Sequence, residues 1–167
     1  MRNNHLVIQG YGTLKDRYLR PALLGAVDGL ITSFVIVAGG LASETEKSKI
    51  LLIGFSSLIA DGISMGVSES ISSRAQGGLP LGQTALLGLV CLTSFVIVGC
   101  FPLVGFAAGA TTDMSRILSI ALFAFFLFAV GVVRSCITRE NCALATAETV
   151  ALGSIAGAIA YAIASIR

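Results

Sequence analysis

Three side chains that bind metal ions or protons recur at four-residue intervals within one apolar part of the chain. They are Asp61, Met65 and Glu69, in the segment DGISMGVSE. Residues four apart lie on the same face of an α-helix, so a helix here carries two carboxylates and one thioether along one stripe. Ser57 and Ser64 add hydroxyl groups nearby and are possible further members of the site.

This combination of ligands favours particular cations. Carboxylate oxygens bind hard and borderline divalent cations, whereas a thioether shifts the preference toward transition metals and away from magnesium or calcium. Fe²⁺ and Mn²⁺ suit the set, as do Zn²⁺ and Co²⁺. A carboxyl group in a low-dielectric site favours its protonated form, and a bound cation favours its ionised form. Protons and metal ions therefore compete for the same oxygens, which is the basic requirement for metal/proton exchange.

The composition predicts an integral membrane protein. The chain has 167 residues, of which 55% are hydrophobic and 12% charged, and its mean hydropathy is +0.91. A soluble domain carries about 25% charged residues. The net charge of +2 gives no indication of a nucleic-acid partner.

Five apolar segments must position the site, and each is long enough to cross a bilayer core of ~30 Å at 1.5 Å per residue. Pro21 suits the first turn of the first segment, and Pro102 is expected to kink or end the third. Residues 1–16, with the single His5, are expected to form a cytosolic tail without a signal peptide. The connections are too short for a soluble domain, so residues 1–167 form one transmembrane domain, with spans at 21–41, 50–73, 79–108, 117–133 and 143–166.

The basic residues predict the orientation in the membrane. With the N-terminus in the cytosol, seven of the 11 Lys and Arg residues fall on the cytosolic side and four on the other. The positive-inside rule therefore places the N-terminus in the cytosol and the C-terminus in a lumen or outside the cell. The cytosolic set is Arg2, Lys15, Arg17, Arg20, Arg74, Arg134 and Arg139, and the opposite set is Lys47, Lys49, Arg116 and Arg167.

Four acidic residues fall inside the predicted spans: Asp28, Asp61, Glu69 and Glu148. A charge at this depth costs ~2.5–3.5 kcal/mol on insertion scales. The spans contain no Lys or Arg at comparable depth, so these acids have no basic partner with which to form a buried salt bridge. Two interpretations remain: acids that face a cavity or ion path, and neutral acids hydrogen-bonded to Ser, Thr or backbone. Glu69 and Glu148 also lie close enough to the interface to reach it.

Pairs of glycines four residues apart predict tight helix packing. Gly25 and Gly29 form such a pair in the first span, and Gly62 and Gly66 in the second. Small residues at this spacing allow helix backbones to approach closely in lipid. We interpret the pattern as a closely packed bundle and not as evidence of one dimer face.

The sequence gives no indication of an enzyme or of a resident cofactor. It has no nucleophile–base pair, no His cluster and no HExxH motif. The four cysteines form no CxxC pair, and we expect small hydrophobic side chains or loop thiols in preference to a metal or disulfide role. They are Cys91, Cys100, Cys136 and Cys142.

Two blocks of the sequence, LLGAVDGLITSFVIVAGG and LLIGFSSLIADGISMGVSESISSRAQ, resemble the vacuolar iron transporter family. The resemblance extends more loosely to VGCFPLVGF and ALGSIAGAIAYAIA. It implies a five-helix homodimer in the lipid bilayer, with an ion path between the subunits and proton antiport as the driving force. It places Asp28 and Met65 on the path, with Asp61 and Glu69 as path or cytosolic-entrance residues.

The resemblance implies export of Fe²⁺ or Mn²⁺ from the cytosol, as transported substrate, in metal homeostasis and detoxification. The membrane is vacuolar or another endomembrane in a eukaryote, and the plasma membrane in a prokaryote. One departure is clear: the second and third spans are joined by about RAQGGLPLG, where well-studied members insert a metal-collecting helical domain. Two alternatives stay open, a transporter of another cation on the same scaffold and a non-transporting membrane subunit whose buried acids are neutral.

Overall fold

The computed structural model describes residues 14–77, 79–138 and 141–166. Within these ranges the chain forms five α-helices, and each is long and apolar enough to cross a membrane. The prediction of an all-α protein with five spans is confirmed. The helices are α1 (Leu14–Ala42), α2 (Lys47–Gly77), α3 (Leu81–Ala108), α4 (Thr112–Thr138) and α5 (Cys142–Ser165).

Several helices extend beyond the apolar runs that predict them. α1 begins at Leu14, inside the expected tail, and α4 continues past Val133 to Thr138. An apolar run stops at the first charged residues, but helical hydrogen bonding continues where those residues reach the membrane interface. α3 runs through Pro102 to Ala108, so this proline does not end the helix. Neighbouring helices and local adjustments make such prolines tolerable in membrane spans.

α1 occupies the centre of the bundle and packs against each of the other four helices. Its most extensive contact is with α3, where Gly25 and Gly29 lie directly against the α3 backbone at Cys91 and Phe95. A Cβ atom on Gly29 would overlap the backbone carbonyl of Phe95. The absence of two side chains therefore sets the distance between the two helices.

α2 lies at the edge of the bundle and packs against α3 and, less extensively, α1. Gly66 approaches the backbone of Gly88, and Gly62 faces the side chains of Phe95 and Val96. One apolar cluster joins these three helices around Phe95 and Leu58. The outward side of α2 stays uncovered in the single chain, with exposed residues including Leu52, Ile59, Ile63, Val67 and Ile71.

Polar contacts tie the helices together at both ends of the bundle. At one end, Lys47 Nζ donates hydrogen bonds to the Gly109 carbonyl (2.6 Å) and to Ser115 Oγ (2.9 Å). At the other end, Arg17 Nη1 donates to Gln83 Oε1 (3.2 Å).

The described basic residues lie at the two ends of the bundle in the same two groups that the sequence predicts. Arg17, Arg20, Arg74 and Arg134 lie at one end, and Lys47, Lys49 and Arg116 at the other. Which end faces the cytosol stays a prediction. The side chains of His5, Arg2, Lys15, Arg139 and Arg167 lie outside the described residues.

We predict that Gly29→Ala lowers the stability of the protein by roughly 1–3 kcal/mol, because the new methyl group must push α1 away from the Phe95 backbone. Gly82→Ala on α3 is the matched control, since a Cβ atom there meets nothing within 4 Å. It should leave stability unchanged or raise it by up to about 1 kcal/mol through helix propensity. Thermal unfolding of the two variants in detergent measures the difference, and equal effects would contradict the packing described here.

Candidate functional site

Two acidic residues lie at mid-height in the bundle, on neighbouring helices. Asp28 is the central residue of α1 (Leu14–Ala42), and Asp61 lies next to the centre of α2 (Lys47–Gly77). At 1.5 Å per residue, each lies roughly 20 Å from either end of its helix. The two carboxyl groups are close enough to interact electrostatically. The fold therefore brings together two acids at the depth where hydrocarbon disfavours charge most.

Both acids are exposed on the single chain. Among the residues that the structure describes, neither carboxyl group has a hydrogen-bond or ion-pair partner. The alternative interpretation requires hydrogen bonds from Ser, Thr or backbone groups to these acids, and the described residues provide none to Asp28 or Asp61. What the chain offers instead is two unsatisfied carboxyl groups on one open surface.

The rest of the predicted ladder follows the same helix. α2 is continuous over Lys47–Gly77, so Asp61, Met65 and Glu69 lie along one stripe that drifts by about 40° at each step. Asp61 is exposed, whereas Met65 is half-buried against the apolar cluster around Phe95. The stripe thus turns from the open surface into the contact with α1 and α3. Beside it, Ser57 is half-buried and Ser64 is exposed.

Glu69 lies in a polar cleft of about 330 Å³ between α1, α2 and α3. Ser73 Oγ donates a hydrogen bond to Glu69 Oε1 (2.7 Å). Arg17 and Arg20 line the same cleft. From the sequence, these two residues indicate only the orientation of the chain in the membrane. Helical spacing places Arg17 and Asp28, eleven residues apart, on nearly the same side of α1, but it does not reveal the helix packing that brings Arg17 and Arg20 to Glu69.

Glu148 has a partner, so the expectation that no basic residue lies at comparable depth is wrong at this position. Arg134 Nη2 donates to Glu148 Oε2 (3.0 Å), and Arg134 Nη1 donates to Thr149 Oγ1 (3.2 Å). The reason is the length of α4: the helix continues to Thr138, which carries Arg134 alongside the first turns of α5. Glu148 therefore links α4 to α5 and is not grouped with Asp28 and Asp61.

A single copy of the chain does not assemble a full set of metal ligands. Within the described residues, no three His, Cys, Asp or Glu side chains lie together in a way that holds a metal ion. The four cysteines are free thiols: Cys91 is buried, Cys100 is half-buried, and Cys136 and Cys142 are exposed. The site of one chain is thus a pair of carboxyl groups with a thioether one turn away, open on one side.

Comparison with known proteins links this chain to one family. The family model described as the VIT family matches residues 19–80 and 81–165. A vacuolar iron transporter of Toxoplasma gondii is 39% identical over 59 residues, which cover 35% of this chain and 20% of that protein. One from Plasmodium falciparum is 38% identical over 65 residues, covering 39% and 24%. Vacuolar iron transporter homolog 2.1 of Arabidopsis thaliana is 36% identical over 69 residues, covering 41% and 32%. The matched stretch thus spans a fifth to a third of these relatives.

The Arg134–Glu148 pair generates a stability prediction. Glu148→Gln leaves the half-buried Arg134 guanidinium without its carboxylate and should lower stability by about 1 kcal/mol. Glu46→Gln is the matched control, because Glu46 pairs with Lys49 at 3.7 Å and both side chains are exposed. Exposed pairs at this helical spacing contribute about 0.5 kcal/mol or less. Thermal unfolding in detergent compares the two. A larger loss for Glu46→Gln would contradict the assignment.

Proposed function

The chain belongs to the VIT family, and on that premise we propose that it carries Fe²⁺ or Mn²⁺ out of the cytosol in exchange for protons. The relatives named vacuolar iron transporters support this class of substrate. The destination is a vacuole or another lumen in a eukaryotic cell, and the exterior in a prokaryotic cell. The observation that carries the proposal is the pair Asp28 and Asp61, exposed at mid-membrane with no partner among the described residues.

The open side of the site argues for a second copy of the chain. A carboxylate at bilayer depth costs ~2.5–3.5 kcal/mol in contact with lipid. The exposed side chain of Ile71 lies on the adjoining side of α2, about 80° around the helix from Asp61. A twofold partner packed against this surface removes both carboxyl groups from lipid. It also gathers four carboxyl groups and two thioethers around one path, which supplies the ligands that one chain lacks.

Met65 and Glu69 extend the path toward one end of the bundle. Glu69 lies about 12 Å along α2 from Asp61, in the cleft at the end that the positive-inside rule assigns to the cytosol. Ser73 engages one of its carboxylate oxygens, and the other is left for an arriving cation. Arg17 lines the same cleft, and the carboxylate offsets part of its positive charge.

Proton exchange follows from the same geometry. Neighbouring carboxylates repel each other when both are ionised, and a proton or a divalent cation removes that repulsion. Protons and metal ions are therefore alternative occupants of the Asp28–Asp61 pair. A proton gradient across the membrane then drives metal ions in the opposite direction.

A flux measurement in proteoliposomes tests this proposal. An acidic lumen should accelerate uptake of Fe²⁺ and Mn²⁺, with Zn²⁺ and Co²⁺ compared in parallel. Asp28→Asn and Met65→Leu should each lower the initial rate by tenfold or more, because each removes a ligand from the path. Asp113→Asn is the control, since Asp113 lies in the exposed first turn of α4 beside Arg116, and its rate should stay within twofold of the parent.

Three results would count against the proposal. A flux that does not depend on the pH gradient would contradict proton exchange. An unchanged rate in Asp28→Asn would contradict the assignment of Asp28 to the ion path. Absence of movement of any of the four metals would favour the non-transporting subunit, most clearly if Asp28→Asn impaired assembly instead.

A further inference from the structure

A further cavity lies between α1, α4 and α5. It is a groove of about 690 Å³. We call it the α1–α4–α5 groove, and it is lined by Arg20, Leu23, Leu24, Val27, Ile31, Arg134, Ile137, Thr138, Thr149 and Leu152.

The groove is basic and polar at one end and apolar along its length. Arg20 lies in the second turn of α1, and Arg134 lies in the last turns of α4, so both guanidinium groups are at the same end of the bundle. From Arg20 the α1 wall continues through Leu24 and Val27 to Ile31. Eleven residues from Arg20 to Ile31 span about 16 Å, close to the ~15 Å depth of one leaflet's hydrocarbon.

The two arginines differ in what they bind. Arg134 is engaged by Glu148 (3.0 Å) and Thr149 (3.2 Å). Arg20 is exposed and makes no hydrogen bond or ion pair within the described part of the chain. It lines the Glu69 cleft as well as the groove, yet the two side chains do not form an ion pair. The mouth of the groove therefore carries an uncompensated positive charge at the level of lipid headgroups.

We propose that the α1–α4–α5 groove binds an anionic phospholipid of the adjoining leaflet, with its phosphate at Arg20 and one acyl chain along Leu24, Val27 and Ile31. Basic pockets between membrane helices recognise anionic headgroups in this way, and a guanidinium group matches a phosphate through paired hydrogen bonds. The headgroup of a zwitterionic lipid carries a positive charge of its own, so Arg20 attracts it less strongly than an anionic headgroup. The leaflet that supplies this lipid is the cytosolic one in the proposed orientation. Lipid binding does not require the protein to transport metal ions.

Native mass spectrometry of the purified protein tests the site with phosphatidylglycerol and phosphatidylcholine of identical acyl chains. Phosphatidylglycerol should be retained more tightly, and Arg20→Gln should weaken its binding by about tenfold toward the phosphatidylcholine value. Arg74→Gln is the matched control, because Arg74 is an exposed arginine at the same end of the bundle and does not line the groove. It should retain phosphatidylglycerol as the parent does.

A second variant addresses the apolar part of the groove and does not depend on Arg20. Leu152→Trp places a large ring over the groove from an exposed position, 62% accessible, and should weaken binding of both lipids by reducing the space for the acyl chain. Soluble glycerol phosphate should fail to displace phosphatidylglycerol at equal concentration, because it lacks that chain.

Several outcomes would overturn the proposal. Equal retention of the two lipids, or equal effects of Arg20→Gln and Arg74→Gln, would show that Arg20 does not select the headgroup. Displacement by glycerol phosphate would indicate a free-anion site. If Arg20→Gln or Leu152→Trp changed the dimer fraction and not lipid retention, the occupant would be a second copy of the chain. Lipid retention and metal flux are measured independently, so loss of lipid selectivity would leave the proposed function standing, and loss of flux would leave this proposal standing.

Discussion

The close contact of α1 and α2 with α3 is the constraint on which the rest of the molecule depends. Gly25 and Gly29 bring α1 against the α3 backbone, and Gly66 does the same for α2 at Gly88. These glycine faces are turned inward. Asp28 is about 100° around α1 from Gly29, and Asp61 is about 140° around α2 from Gly66, so both acids are left on the outer surface. Asp28 and Asp61 become neighbours through backbone packing, without any direct bond between them.

The helices and the depth of the acids follow from the sequence, because both depend on local patterns. A run of about 20 apolar residues predicts a span, and Asp28 and Asp61 fall within such runs. The Arg134–Glu148 pair was missed for a physical reason. An apolar run ends at the first charge, but hydrogen bonding carries α4 to Thr138 and so sets the contact with α5. Likewise, the cleft that places Arg17 and Arg20 beside Glu69 depends on interhelical packing, which no local pattern encodes.

The short connection between α2 and α3 concentrates the proposed entrance on few residues. Only residues 78–80 separate the two helices. No further domain is therefore inserted between α2 and α3 at the end of the bundle where Glu69 and its cleft lie. Arg20 borders both this cleft and the α1–α4–α5 groove. One side chain is thus shared between the place where we propose that metal arrives and the place where we propose that a lipid phosphate binds.

The central claim is that the surface carrying Asp28 and Asp61 faces a second copy of the chain. Cysteine cross-linking tests it most directly, in a chain whose four native cysteines are replaced by alanine. Ser68 is exposed on α2, two turns from Asp61 and on nearly the same face of the helix, whereas Phe125 is 64% exposed on α4. With a short bismaleimide in native membranes, Ser68→Cys should give a covalent dimer and Phe125→Cys should stay monomeric. A dimer through Phe125→Cys alone, or no dimer through Ser68→Cys, would contradict a twofold contact at this surface.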